Sequence, residues 1–512
     1  MSQYDIIIIG TGAGGGTLAH KLASSGKKIL ILERGNYIPR EKDNWSTQAV
    51  FLDAKYKAKE TWFDKKGKEF HPGIHYCVGG NTKVYGAALL RMRVQDFETL
   101  KHHGGVSPEW VVKYADFESY YTQAEALYHV HGERGSDPTE PPSHSPYPLP
   151  PLKHEERIQE LYDDMKELGL NPFPLPIGAN LGDQQPGTAP AILDRFDGFP
   201  DPSEAKADSH VCGIKPALQY PNVTLLTDCY VEKLETNATG NEISGVVVKR
   251  NGTQEVYTAH VVVVACGAIN SATLLLRSAN DKHPNGLANA SDVIGRHYMA
   301  HNNSALLAIS RKPNHTLFGK TLGLNDFYFN SDDFEFPLGH IQMLGKSDAL
   351  MYKEDAPGFA PGLALDYIAK HSLDFWMTSE DLPDPQNRVT LDKNGNIHLH
   401  YTENNLEGHK RLEKKLRWIL EHVGCETHIF PNNLYLGKKI PVAGTAHQCG
   451  TIRFGNDPKT SALNEFCRAH EVQNLYVVDG SFFPSSSAVN PGLTIMANAL
   501  RIGDYLLNEI LK

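Results

Sequence analysis

The stretch Thr445-Ala446-His447-Gln448-Cys449-Gly450-Thr451 sets an imidazole two residues from a thiol among small residues. Such a pair can ligate a metal, form a Cys–His nucleophile, or present a general base, and a histidine there can also be an ordinary loop residue. A second group lies at the opposite end of the chain. Gly10-Thr11-Gly12-Ala13-Gly14-Gly15 contains G-x-G-x-x-G, and Glu33 follows Gly15 by eighteen residues. Glycines at that spacing let the backbone approach a pyrophosphate at a helix N-terminus, and the carboxylate can accept from adenosine ribose hydroxyls. A third group is Asp479-Gly480 and, ten residues on, Asn490-Pro491. Asp479 suits the ribityl hydroxyls and pyrophosphate region of a flavin dinucleotide, or a turn cap. Asn490 and Pro491 read as the N-cap and first residue of a helix. That helix N-terminus, aimed at a flavin pyrimidine ring, would stabilise the charge of the reduced form.

Metal chemistry has little support. His71 with His75, and His102 with His103, lack further ligands at metal spacing and read as surface or packing residues. The seven cysteines are scattered without a CxxC. Their odd number in a long chain predicts free thiols in a reducing compartment.

The elements that must position these groups are legible at both ends. "YDIIIIG" and "KKILILE" are continuous apolar runs, as parallel strands buried on both faces require. Between them "GTLAHKLASSG" has Leu18, Ala19, Leu22 and Ala23 at helical spacing. This βαβ context gives the glycine motif its dinucleotide meaning. The chain returns twice to the same kind of element, at "VVVVACGAINS" and at "NLYVVDG". A small NAD domain would be complete within about 150 residues, so the late returns favour FAD. The span 300–440 is rich in aromatic and β-branched residues and predicts an antiparallel sheet with intervening helices.

Composition bounds the rest. The chain has 512 residues, 40% of them hydrophobic, so two domains or one interleaved unit are expected. Net charge is -10 with no dense basic run, which leaves no footprint for nucleic acid or an anionic membrane. No apolar run approaches the ~20 residues of a membrane span. The N-terminus enters a strand at once, with no signal-peptide pattern, so a cytoplasmic location is expected.

Five segments, "IIIIGTGAGGGTLAHKLA", "CVGGNTKVYGAALLR", "SEDLPDPQNRVTL", "HQCGTIRFGNDPKTSALN" and "NLYVVDGSFFPSSSAVNPGLTIMANALR", occur in one order along the whole chain. Together they resemble the glucose–methanol–choline (GMC) family of FAD oxidoreductases, and the compact form is similar to its pyranose-oxidase-like bacterial branch. The resemblance implies a Rossmann-like α/β FAD-binding domain interleaved with a substrate domain built on an antiparallel sheet. We expect residues 1–90, 210–300 and 440–512 in the first and 91–209 and 301–439 in the second. It implies oxidation of an alcohol, with His447 in the H-x-x-G-T position as base, Asn490 as its partner, and hydride transfer to flavin N5. Cys449 then falls at a variable position and becomes a packing residue.

The cofactor residues implied by the motifs and their context are Gly10, Thr11, Gly12, Ala13, Gly14, Gly15, Glu33 and Arg34; Gly79, Gly80, Asn81 and Thr82; Val231, Ala265 and Gly267; and Asp479, Gly480, Asn490, Pro491 and Thr494. Some relatives tether FAD through a histidine just after the paired glycines. Asn81 stands there, so non-covalent FAD is expected. The segment at 195–213 holds only Cys212, which cannot ligate an iron–sulfur cluster. Candidate substrate contacts are Tyr328, His340, Gln342 and Trp376. The expected substrate is a sugar or glycoside hydroxyl, C3 of a glucoside among them, with oxygen or a quinone as electron acceptor. A non-sugar alcohol, a non-redox lyase of the same family, or a flavin-bearing sensor are the rival readings.

Overall fold

The computed structural model describes residues 3–181, 197–353, 362–426, 438–439 and 447–512. Every candidate site residue falls within these ranges. Of the 195–213 segment, residues 195 and 196 lie outside them.

The opening apolar run forms strand β1 (Tyr4–Ile9), followed by helix α1 (Ala13–Ala23) and strand β2 (Ile29–Leu32). Ile6–Ile9 and Ile29–Leu32 are buried, and the strands pair in parallel with Ile6 opposite Ile29 and Ile9 opposite Leu32. The sheet is completed by chain that arrives much later. Ala259–Val264 pairs with the other edge of β1, Leu475–Val477 lies beyond it, and Val223–Leu226 flanks β2, all in parallel. The ends of β1, Ala259–Val264 and Leu475–Val477 therefore stand side by side, and each runs directly into a candidate glycine or aspartate. Open parallel sheets bind ligands just outside these carboxyl ends. An antiparallel meander of Tyr230–Thr236, Ile243–Arg250 and Thr253–Tyr257 hangs beside this sheet.

The second sheet is antiparallel. Asn302–Ser310, Ser372–Ser379, His340–Met343, Leu322–Leu324 and Pro172–Pro174 follow one another across it. Helix Leu406–His422 packs Leu412, Leu416, Ile419 and Leu420 against Leu306, Ile341, Phe375 and Met377 on one face. That i, i+4, i+7, i+8 spacing is one helical stripe. From the other face Thr378 donates to the Ala488 carbonyl at 2.7 Å. The expected fold class holds: a Rossmann-like α/β unit interleaved with an antiparallel-sheet unit.

A short antiparallel bridge ties the two units. Met299 and Cys449 exchange backbone hydrogen bonds at 3.0 and 2.9 Å, and the following Gly450 and Ile452 donate to Gly480 (3.1 Å) and Ser481 (2.9 Å). The 447–452 segment is thus pinned between the start of the second sheet and the end of the first. All seven cysteines are free, with Cys266 half-buried and the others buried. Among the described residues, no helix is long and apolar enough to cross a membrane.

Candidate active site

A cavity of about 570 Å³ opens at the carboxyl ends of the parallel strands. Its floor is the turn Gly10–Gly14. Gly10 has φ +102°, and a Cβ there would meet the Ala265 carbonyl oxygen at 2.3 Å, so only glycine serves. Above Gly12 nothing lies within 4 Å of a would-be Cβ, and that open space is the cradle a side chain would fill. Helix α1 starts there with no side-chain cap and no acid in its first turn. Its N-terminal N–H groups and dipole suit an anionic pyrophosphate.

Glu33 also lines the cavity. Its carboxylate accepts from Thr11 Oγ1 (2.5 Å), Thr11 N (3.1 Å) and Gly35 N (2.9 Å). Burial pushes its pKa up, and these bonds draw it back. Thr11 Oγ1 in turn accepts from Gly79 N at 2.9 Å, which joins the glycine turn to the Gly79-Gly80 segment. Arg34 pairs with Glu60 at 2.7 Å and lies over the rings of Tyr76 and Tyr230. Gly80, Asn81, Thr82, Val231, Ala265 and Gly267 complete this end of the wall. A glycine turn at an uncapped helix N-terminus and the Glu33 carboxylate, lining one cavity of about 570 Å³, fit FAD.

Asp479 and Gly480 line the cavity too. The Asp479 carboxylate is already engaged by four donors of its own chain. Gly267 N and Ser481 N donate at 2.9 Å each, joined by the hydroxyls of Ser271 and Ser481. It caps the short helix Gly480–Phe482 and ties two cavity loops together.

His447, Asn490, Pro491 and Trp376 line the same cavity. His447 Nε2 lies 3.4 Å from Asn490 Nδ2, and its Nδ1 lies 3.1 Å from His301 Nδ1. The Trp376 ring stacks on the imidazole at 5.1 Å between centroids and 20° between planes. Burial above all, and beyond it any positive charge on neighbouring His301, Lys320 or His340, holds the His447 pKa well below its usual 6.5. The imidazole is therefore neutral at pH 7. Asn490 does not cap the C-terminal helix as expected. The helix is Gly492–Tyr505, with Pro491 in the cap position and no side-chain cap, because the Asn490 amide turns to His447 instead.

Two family models match the chain, both described as GMC oxidoreductase, over residues 4–303 and 383–499. The chain belongs to the GMC oxidoreductase family. It is similar to the 6'''-hydroxyparomomycin C oxidase of Streptomyces lividus, 29% identical over 99% of this chain and 92% of the relative. It is 26% identical to the fructose dehydrogenase large subunit of Gluconobacter japonicus, over 99% of this chain and 98% of the relative. Pyridoxine 4-oxidase from Mesorbium loti has a similar fold, with TM-score 0.67 and 17% identity, covering 99% of this chain and all of the other. GMC oxidoreductases are FAD-dependent enzymes that oxidise CH–OH groups, and this chain is one.

Within this GMC enzyme several expected contacts do not reach the cavity. Gly15 packs on the turn itself, where a Cβ would meet Gly10 O at 2.1 Å. Gly79 lies behind Gly80, and Thr494 shares a 2.7 Å hydrogen bond with Tyr121 in the buried helix interface. Tyr328 donates to Asp96 (2.9 Å) and accepts from Ala488 N (3.2 Å), fully inside. His340 is bonded to Asn325 at 2.7 Å, and Gln342 stands beside it. These three are packed structural groups rather than cavity contacts.

Other cavity residues carried no motif. His75 lines it, with its backbone N–H donating to Asn81 Oδ1 (2.9 Å) and its pKa lowered to about 4 by burial. The lack of further ligands at metal spacing predicts a surface or packing histidine there, and the structure instead sets it on the cavity wall. Lys320 lines the cavity while paired with Asp197 at 2.8 Å. His301, which meets His447 Nδ1, and Asp381, which accepts from the His301 backbone N–H, are signalled only by Asp381 lying within the "SEDLPDPQNRVTL" segment. Among the described residues no group of three metal-ligating side chains exists.

Proposed function

We propose that this enzyme oxidises a ring hydroxyl of a sugar or glycoside to the carbonyl, His447 Nε2 taking the hydroxyl proton and Asn490 orienting the substrate oxygen. The reading rests on one observation: the His447–Asn490 pair, 3.4 Å apart, lies on a wall of the same cavity whose floor is the glycine turn. A neutral imidazole is the form that accepts a proton, and burial keeps His447 in that form. The bound flavin supplies the acceptor for the hydride.

The chain's own groups orient the substrate. Trp376 Nε1 and Asn490 Oδ1 are buried with no partner among the described residues. Buried polar atoms of this kind seek a partner, and a polyol carries hydroxyls at close spacing. The Trp376 ring gives a flat apolar wall next to the base, suited to the face of a pyranose. Relatives named for an aminoglycoside and for fructose support a carbohydrate substrate, with C3 of a glucoside as one target. Residues 1–90, 210–300 and 440–512 hold the cofactor in this reading, and 91–209 and 301–439 shape the substrate side. FAD is bound non-covalently, with Asn81 at the tether position, and the reduced enzyme passes electrons to oxygen or a quinone.

The test is anaerobic flavin bleaching against a panel of free sugars and glycosides, followed by reoxidation in air or with a quinone. His447→Ala should keep FAD and lose the reduction rate by about 10² or more, the scale of general-base removal. A flavin-loaded enzyme that no carbohydrate reduces would sink the substrate reading. A wild-type rate in His447→Ala would sink the base assignment.

A further inference from the structure

We infer that His301 is a positioning residue that fixes the tautomer of His447, leaving the Nε2 lone pair facing Asn490 and the cavity. The inference rests on His447 being the base and adds what keeps its proton on the correct nitrogen.

Three hydrogen-bonding groups stand in a chain behind the base. His301 Nε2 lies 3.1 Å from the Ser486 carbonyl oxygen, which can only accept. That nitrogen therefore carries the hydrogen. In a neutral imidazole the other nitrogen, Nδ1, then holds a lone pair. It lies 3.1 Å from His447 Nδ1, which must donate to it. His447 Nε2 is left unprotonated, and the group it meets is the Asn490 amide at 3.4 Å, a donor. A backbone carbonyl two links away thus sets which nitrogen is basic. Burial favours the neutral form of His301. The nearest carboxylate, Asp381, bonds its backbone N–H rather than its ring.

The geometry around this chain is built to hold it. Asp381 accepts from Ala300 N (2.9 Å), His301 N (3.0 Å), Tyr401 OH (2.8 Å) and Ser486 Oγ (3.1 Å). One carboxylate therefore clamps both ends of the His301–Ser486 bond. His301 has φ +62° and Ser487 φ +56°, left-handed conformations in non-glycine residues on either side of that bond. Backbone strain of this kind persists where surrounding contacts over-determine it, and it gathers at functional sites. The Met299–Cys449 bridge then supplies the register. Two residues past Met299 and two before Cys449, an antiparallel pair brings 301 opposite 447.

The test compares His301→Asn, His301→Gln and His301→Ala with His447→Ala, all FAD-loaded, by anaerobic flavin reduction with the sugar found above. Asn places its Oδ1 where imidazole Nδ1 sits, can accept from His447, and tolerates the left-handed backbone. It should keep the reduction rate within about fivefold. Gln fills similar space but carries its amide oxygen and nitrogen one atom farther from the backbone than imidazole Nδ1. It and Ala should lose about 10- to 100-fold in reduction rate with little change in substrate affinity, less than the ~10⁴ of a wrong-tautomer triad. If Ala fails to load FAD, the Asn and Gln pair decides. Equal rates for Asn and Gln, or a wild-type rate for Ala while His447→Ala is dead, would overturn the positioning role and leave the base intact. A wild-type rate for His447→Ala would overturn both.

Discussion

Asp479→Asn separates two jobs that a carboxylate in this place can have: touching the cofactor or holding the loops that touch it. Asp479 is 5% exposed, and its two oxygens accept from Gly267 N, Ser481 N and two serine hydroxyls. Burial pushes its pKa up, but two backbone N–H groups aimed at it make the carboxylate the form the site accepts. Asparagine keeps one acceptor oxygen. Whichever way it is turned, its NH₂ faces one of the two backbone N–H groups, while the serines can rotate to accept. One buried backbone donor is orphaned, at about 1–3 kcal/mol. The remaining bonds lose their charge assistance, which roughly halves each. The sum is about 2–4 kcal/mol, a sizeable part of the ~5–15 kcal/mol that keeps a typical protein folded. Urea unfolding of the apoprotein should show a lower midpoint, while FAD affinity falls less than about tenfold, below the scale of a lost charged hydrogen bond to the ligand. An unchanged apoprotein midpoint with FAD affinity down tenfold or more would refute the strut and restore a direct contact.

Three further outcomes follow from the same groups. The His447 pKa lies well below 6.5, so the flavin reduction rate should stay level from pH 8 down through 6.5 and fall only below it; an acid limb at or above 6.5 refutes a neutral, buried base. Stability should fall as pH drops below 6.5. His75 and His340 take protons near 6.5 when unfolded but only at about 4 and about 3 when folded, so the unfolded chain binds more protons in between. Each contributes a slope of about 1.4 kcal/mol per pH unit, and an equal urea midpoint at pH 7 and pH 5 would contradict it. Acid precipitation should release the flavin into the supernatant, and yellow colour retained by the pellet would show a covalent link, with His75 the first residue to replace.

Much of the cofactor end was legible because its physics is local. A parallel strand buried on both faces reads as an unbroken apolar run, a pyrophosphate turn needs glycine, and Glu33 ends the next strand. The substrate end was legible in direction but not in depth. Gln342 and Trp376 are paired across the antiparallel sheet, so their side chains leave on the same face. Trp376 reaches the cavity, and Gln342, one strand farther along, stays off it. Strand alternation reports the face and says nothing of the distance along the sheet. His340 to Met343 are all buried, so even that alternation was hidden.

What the sequence left hidden is the group that stands behind His447. Counting along the chain finds Cys449 two residues away and Asn490 forty-three residues away, and the second lies on the imidazole's Nε2. The group on Nδ1 is His301, 146 residues upstream, in a segment with no motif of its own. It arrives there because Met299 and Cys449 pair, and that bridge is a tertiary event with no local pattern to announce it. Cys449 is therefore more than filler. Its thiol is buried in the core, but its backbone sets the register that brings the two imidazoles together. A larger side chain at 449 should act on the base from behind: Cys449→Leu overpacks a site that is 1% exposed, at about 1–3 kcal/mol, and displaces the bridge. The expected sign is a loss of flavin reduction rate with FAD retained, while Cys449→Ser, which keeps the backbone and nearly the volume, should change it little. If the two variants reduce flavin equally fast, the bridge is not what aligns the pair.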